Sequence, residues 1–127
     1  MMNEIKLMSI SEIIPTEEFI ESRLDEVIKM IILSKVWTDP IRIEKNTNII
    51  MDGHHRFESA KRLKLRYVPC CLYDYSDVMV TRNYDGDILN KNDIIKRGMS
   101  GQLYPAKTTK HEFKQLVSVK IPLNELM

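Results

Sequence analysis

Asp52, Gly53, His54, His55 and Arg56 carry the side chains of this sequence best suited to chemistry. They follow an extended apolar run, Ile49-Ile50-Met51, and lead into Phe57, Ala60 and Leu63, apolar residues at helical spacing. That order reads as a strand-to-helix turn. The first backbone N–H groups of a helix point into one spot, where the dipole favours negative charge. Two imidazoles and a guanidinium at that spot make an anion site suited to phosphate, and Gly53 lets the backbone come close. Asp52 is the odd member. A carboxylate beside a phosphate adds repulsion unless it holds a metal ion or a proton in transit, which points to phosphoryl chemistry rather than passive binding. The structural alternative is that Asp-Gly is an ordinary turn and each histidine a satisfied structural residue.

Two further groups bear on chemistry. Glu17 and Glu18 follow Pro15-Thr16 at a predicted helix start, where acidic residues complement the macrodipole without any further role. Pro105-Ala106-Lys107-Thr108-Thr109-Lys110-His111 sets hydroxyls between cations. That suits a phosphate or carboxylate equally with being a solvated basic loop.

Several elements must position these groups. Ile5 to Ile10 is a predicted first strand. Thr16 is the predicted N-cap of a helix whose buried face holds Phe19, Ile20, Leu24, Val27, Ile28 and Ile31. Ile41-Arg42-Ile43 and Asn48 to Met51 read as strands around the polar turn Glu44 to Thr47. The helix after Arg56 runs to about Leu65, Tyr67 to Tyr73 is an apolar strand, and Val78-Met79-Val80 a weaker one. Asn90 caps a short helix over Lys91 to Arg97, broken by Gly98 and Gly101. Leu103 to Lys110 is a loop, Val117 to Ile121 a last strand and Pro122 to Met127 a tail. Trp37, before Pro40, is a core or pocket-wall residue. The pattern is α+β: a small mixed sheet with about three helices.

A chain of 127 residues supports a single domain, 1–127, with one modest core. Lys and Arg total 19 against 18 Asp and Glu, a balance that argues against a dedicated nucleic-acid binder. No apolar run reaches membrane-spanning length. Met1-Met2-Asn3-Glu4 does not open a secretory signal, so a cytoplasmic protein is expected. Cys70 and Cys71 are adjacent, a poor geometry for a bridge, and read as buried reduced thiols without metal spacing.

A strand, a Pro-x-Glu helix start, Asp52-Gly53-His54-His55-Arg56 and then Pro105-x-Lys107-Thr108-Thr109-Lys110-His111 together resemble the free serine kinases of the ParB/sulfiredoxin-like fold. The resemblance runs from Ser11 to Leu126. It implies transfer of a phosphoryl group from ADP or ATP to free L-serine, giving O-phospho-L-serine. Glu17 falls on the family's catalytic glutamate, which takes the serine hydroxyl proton. Asp52 falls on the motif aspartate beside the transferred group and Mg²⁺, held directly or through water. Gly53, His54, His55 and Arg56 fall on the nucleotide phosphate cradle, with Lys107 as charge neutraliser. Thr108, Thr109 and His111 fall where the amino acid is held. The chain departs from archaeal members by a short link in place of a long insertion, and by Arg82-Asn83 near a substrate-lining tryptophan.

Three other readings compete. A ParB-like nucleotide- or DNA-binding regulatory module needs a following helix-turn-helix to read DNA, for which the chain is too short. Sulfiredoxin-type reduction needs a cysteine where His54 stands. A regulator without turnover fits poorly with intact Glu17 and Asp52.

Overall fold

Ile5–Ser9 (β1), with only Met8 buried, and a nearly continuous buried run along Tyr67–Tyr73 (β5) mark an edge strand beside a central one. The computed structural model describes residues 4–127, so Met1 to Asn3, where a leader was sought, lie outside the described residues. Ile41–Glu44 (β3) pairs parallel with β5, and Ile50–Asp52 (β4) pairs antiparallel with β3. The four-stranded sheet has the order β1-β5-β3-β4. Glu44 closes the β3–β4 hairpin: its Oε1 accepts from the N–H groups of Asn46 (3.0 Å) and Thr47 (2.9 Å).

Helix α1 (Glu21–Ser34) buries Leu24, Val27 and Ile31, one stripe of a 3.6-residue period. It stops at Lys35, in the left-handed region with φ 60°. Helix α2 (His54–Arg62) starts directly after β4, with Gly53 at φ 113° as its N-cap, a backbone state that a side chain strains. Helix α3 (Lys91–Ser100) is capped by Asn90, whose side chain accepts from Asn92 N at 2.8 Å. Val36–Trp37 (β2) pairs with Ile121–Pro122 (β8), and Val78–Arg82 (β6) with Thr109–Phe113 (β7), as two separate ribbons. The α+β class and three helices agree with the sequence pattern. Trp37 is a core residue, its indole N–H donating to Asp39 O at 2.7 Å. Cys70 and Cys71 are buried free thiols. Among the described residues no helix is long and apolar enough to cross a membrane.

Six expectations are corrected. The helix does not begin at Thr16; α1 begins at Glu21, and residues 13–20 run extended. Pro15 disfavours helix at Ile14, and Ile14 is tied into the sheet by Ile14 N→Asn48 O (3.0 Å) and Ile50 N→Ile14 O (2.8 Å). Glu17 and Glu18 therefore do not serve α1's dipole. Gly98 does not break α3 but lies buried within it, because a Cβ there would come within 2.8 Å of Ile49 Cγ2. The supposed loop to Lys110 already contains the start of β7, whose Thr109, His111 and Phe113 share its less exposed face. The strand expected over Val117 to Ile121 shrinks to β8, since its partner β2 is cut short before Asp39-Pro40, and proline gives no ladder donor. The tail is docked: Leu126 is fully buried and its carbonyl accepts from Arg66 N (2.7 Å) and Tyr67 N (3.0 Å).

Candidate active site

The β4–α2 turn, the extended segment 13–20 and the start of β7 converge on one cavity of about 700 Å³. Its lining includes Glu17, Asp52, Gly53, His54, His55, Arg56, Lys107, Thr109 and His111. Thr108 is not in the lining; its hydroxyl donates to Pro105 O at 2.6 Å and closes the turn that carries Lys107 at φ 63°. Arg23 and Phe113 also line the cavity without a role expected from the sequence, and so does Asn83, which the family resemblance set near a substrate-lining tryptophan.

The two histidines are acceptors, not cations. His54 Nε2 accepts from Thr16 N (3.0 Å) and Glu17 N (3.1 Å), and His55 Nε2 accepts from Ile20 N (3.0 Å). An Nε2 that accepts from an N–H carries no proton, so each ring is neutral with its hydrogen on Nδ1. Burial, and then the positive charge of neighbouring groups, pushes the His54 pKa down to about 3. Burial, Lys107, Arg23 and Arg56 lower that of His55. The first turn of α2 thus holds segment 16–20 extended in front of itself, which explains why helix spacing in that segment is overridden.

Held this way, Glu17 is 8% exposed and faces the start of β7. Its Oε1 accepts from Lys107 N (3.0 Å), and its Oε2 accepts from Thr109 N (3.0 Å) and from the Thr109 hydroxyl. Burial raises the Glu17 pKa, against the lowering effect of the Thr109 bonds, the Lys107 N–H and the Lys107 charge. Asn83 braces the same turn through Nδ2, donating to Lys107 O (2.8 Å) and Thr109 O (3.1 Å). The Thr109 hydroxyl is therefore occupied by Glu17. His111 is also engaged, bonded through Nε2 to the Tyr75 hydroxyl at 2.8 Å, and burial pushes its pKa down to about 4.

On the other wall, Asp52 Oδ2 takes Arg42 Nη1 at 3.2 Å and Arg56 Nη2 at 3.4 Å. Both arginines also bond Asp39, Arg42 Nη2 at 3.0 Å and Arg56 Nη1 at 2.5 Å. Burial opposes charge on Arg42, but Asp39 and Asp52 outweigh it and raise its pKa. Among the described residues no group of three or more His, Cys, Asp or Glu could hold a metal. Asp52 can still serve one that arrives with phosphates. Its side chain is 53% exposed and, among the described residues, only Oδ2 is paired, and Mg²⁺ is usually held by one or two carboxylates plus substrate phosphates and water.

Comparison with solved structures and curated proteins places this geometry. Free serine kinase in complex with AMP superposes with a TM-score of 0.86 over 100% of this chain and 95% of that one, at 14% identity. SbnI from Staphylococcus aureus, truncated at its C-terminus, gives 0.82 over 96% and 88%, also at 14% identity. The chain has the free serine kinase fold. In sequence it is 30% identical over 73 residues to the ATP-dependent L-serine kinase of Desulfurococcus mucosus, 54% of this chain and 29% of that one. A ParB-like protein of Sulfolobus acidocaldarius is 30% identical over 77 residues, 61% of this chain and 38% of that one. The matched stretch thus spans well under half the length of these relatives. No family model matches the chain. The α2 N-terminus, Glu17 and the β7 start form the wall of a cavity on this fold.

Proposed function

We propose that this chain moves a phosphoryl group from an adenine nucleotide, ADP or ATP, to the hydroxyl of free L-serine, giving O-phospho-L-serine. The observation that carries the reading is the buried Glu17 carboxylate, held by Lys107 N and Thr109 on the same cavity as the α2 N-terminus. Its raised pKa suits a general base. Similarity to the ATP-dependent L-serine kinases and to the free serine kinase fold supports the same reading.

The nucleotide phosphates would sit on the first N–H groups of α2 and the Nδ1–H groups of His54 and His55, with Lys107 and Arg23 as nearby cations. A second cavity of about 370 Å³, lined by Val27, Met30, Ile31 and Trp37, opens beside Arg23 and Arg56 and offers the apolar surface a purine needs. Mg²⁺, when bound, supplies charge screening of the phosphates, and Asp52 would hold it through its unpaired Oδ1. Glu17 would take the serine proton on Oε1, which carries one hydrogen bond where Oε2 carries two. Lys107 lies beside the transferred group. Thr109 acts on serine through Glu17, and His111 shapes the pocket wall with Phe113. Rate gain then comes from orientation and fixed charge.

Incubation with Mg²⁺, L-serine and either ADP or ATP tests this directly. O-phosphoserine by mass spectrometry, with AMP or ADP as co-product, is the expected result; no product with either donor overturns it. A nucleotide- or DNA-binding module without turnover has one observation in its favour: both Glu17 oxygens are taken by the chain's own donors. It predicts nucleotide binding without phosphoserine.

A further inference from the structure

Asp52, proposed to hold Mg²⁺, and Arg56, expected from the family resemblance in the nucleotide phosphate cradle, are tied to two residues that the proposed reaction does not use. Asp39 and Arg42 close a ring with them: Arg42 to Asp39 (3.0 Å), Asp39 to Arg56 (2.5 Å), Arg56 to Asp52 (3.4 Å) and Asp52 back to Arg42 (3.2 Å). Charges alternate around it. Three features set it apart from surface pairing. The Arg42 side chain is only 4% exposed, while Asp39 and Asp52 are 45% and 53% exposed. A buried cation thus faces two carboxylates at the cavity rim. Arg42 is also seated over the Phe113 ring, 5.7 Å from its centroid, so β7 fixes it from the far side. The Nε atoms of Arg42 and Arg56 are buried without a partner among the described residues, so each guanidinium is held through its Nη groups.

Gly53 is the fourth observation. A Cβ there would lie 3.2 Å from Arg56 Nη2 and 3.4 Å from Ile41 Cα. The Arg56 side chain folds back across Gly53 toward β3, and the glycine leaves room for it. Arg56 therefore does not extend freely into the cavity. It is locked against Asp39.

We propose that Asp39 and Arg42 are positioning residues for phosphoryl transfer. They lock the Arg56 guanidinium and turn Asp52 so that Oδ2 is occupied by arginine and Oδ1 stays without a protein partner. The proposal rests on the kinase reading above. Residues that orient a site's direct ligands typically cost 10–100-fold when lost. Arg42→Met removes a buried charge and tests the fold along with the site, so Asp39, half exposed, is the residue to change.

Two measurements on the intact chain decide it. Side-chain ¹⁵N NMR reads rotation of the Arg56 guanidinium without any ligand: slow rotation in the wild type, lost in Asp39→Asn, is expected. Calorimetry with ADP or ATP and Mg²⁺ should show nucleotide affinity falling about tenfold in Asp39→Asn, with the KM for serine unchanged. In an Arg56→Ala background the same substitution should add little, because both act through one group. A freely rotating Arg56 in the wild type overturns the lock. An undiminished Asp39→Asn loss in the Arg56→Ala background, or tighter nucleotide binding in Asp39→Asn, overturns the positioning role. A wild-type chain that binds neither nucleotide refutes the kinase reading and the role in catalysis with it, while the NMR result still shows whether the lock exists.

Discussion

His54 and Glu17 have a different relation in three dimensions from the one their types suggest. A histidine at a helix N-terminus reads as a cation for phosphate, yet His54 Nε2 takes the backbone N–H groups of Thr16 and Glu17. His54→Ala should leave both donors without their partner, at a cost of about 1–3 kcal/mol, measured as a shift in denaturant midpoint. It should also depress phosphorylation, because the Glu17 backbone is released. Thr109 gives a sharper test of the base. Its bonds lower the Glu17 pKa while burial raises it. Losing the hydroxyl in Thr109→Val removes a lowering contribution, so the Glu17 pKa rises further. A base works only when ionised, so the acid limb of the kcat profile should move to higher pH. A limb that stays in place would separate Thr109 from Glu17.

At the scale of elements, the β4–α2 turn was readable because everything that makes it lies within a few residues: an apolar run, a glycine and helical spacing. Segment 13–20 was not. Its apolar spacing matches a helix from Thr16, and what holds it extended is supplied by residues far along the chain, His54, His55 and Asn48. Arg42 was missed for a related reason. Between Ile41 and Ile43 it looks like the solvent-facing residue of an alternating strand, and only the pairing of β3 with β4 brings it to Asp52. Gly98 was misread as a helix breaker, and the packing makes a measurable prediction. Gly→Ala inside a helix ordinarily gains about 1 kcal/mol. Here the added Cβ meets Ile49 Cγ2 at 2.8 Å and Thr16 Cγ2 at 3.0 Å, so overpacking should win and Gly98→Ala should cost about 1–3 kcal/mol. A stabilised variant in thermal melts would show that α3 can shift away freely.

The whole molecule should carry the signature of its half-buried neutral histidines. The pKa of His54 is pushed from 6.5 to about 3 and that of His111 to about 4. A folded state with lowered pKa binds fewer protons than the unfolded chain, so its stability is present above pH 6.5 and is lost as pH falls through that window toward 4 and 3. Glu17 has the opposite sign: its raised pKa removes stability as pH rises from 4.5 through its folded value. The histidine effect should dominate below neutrality. Denaturant midpoints should fall steadily from pH 6.5 downward, and a flat profile would contradict neutral rings with lowered pKa values.

Glu17 acting on a serine hydroxyl, within the cavity it shares with the α2 N-terminus, is the step on which the proposed reaction depends. Following the wild type and Glu17→Gln side by side by ³¹P NMR, with L-serine, Mg²⁺ and ADP or ATP, tests that claim most directly. Wild-type chain should build up the O-phosphoserine resonance as donor signal declines. Glu17→Gln should bind nucleotide with nearly the same affinity yet lose the transfer rate by about 10²–10⁴-fold, the usual contribution of a general base. Wild-type rates in Glu17→Gln would contradict the account and leave Glu17 only as the clasp that holds Lys107 and Thr109.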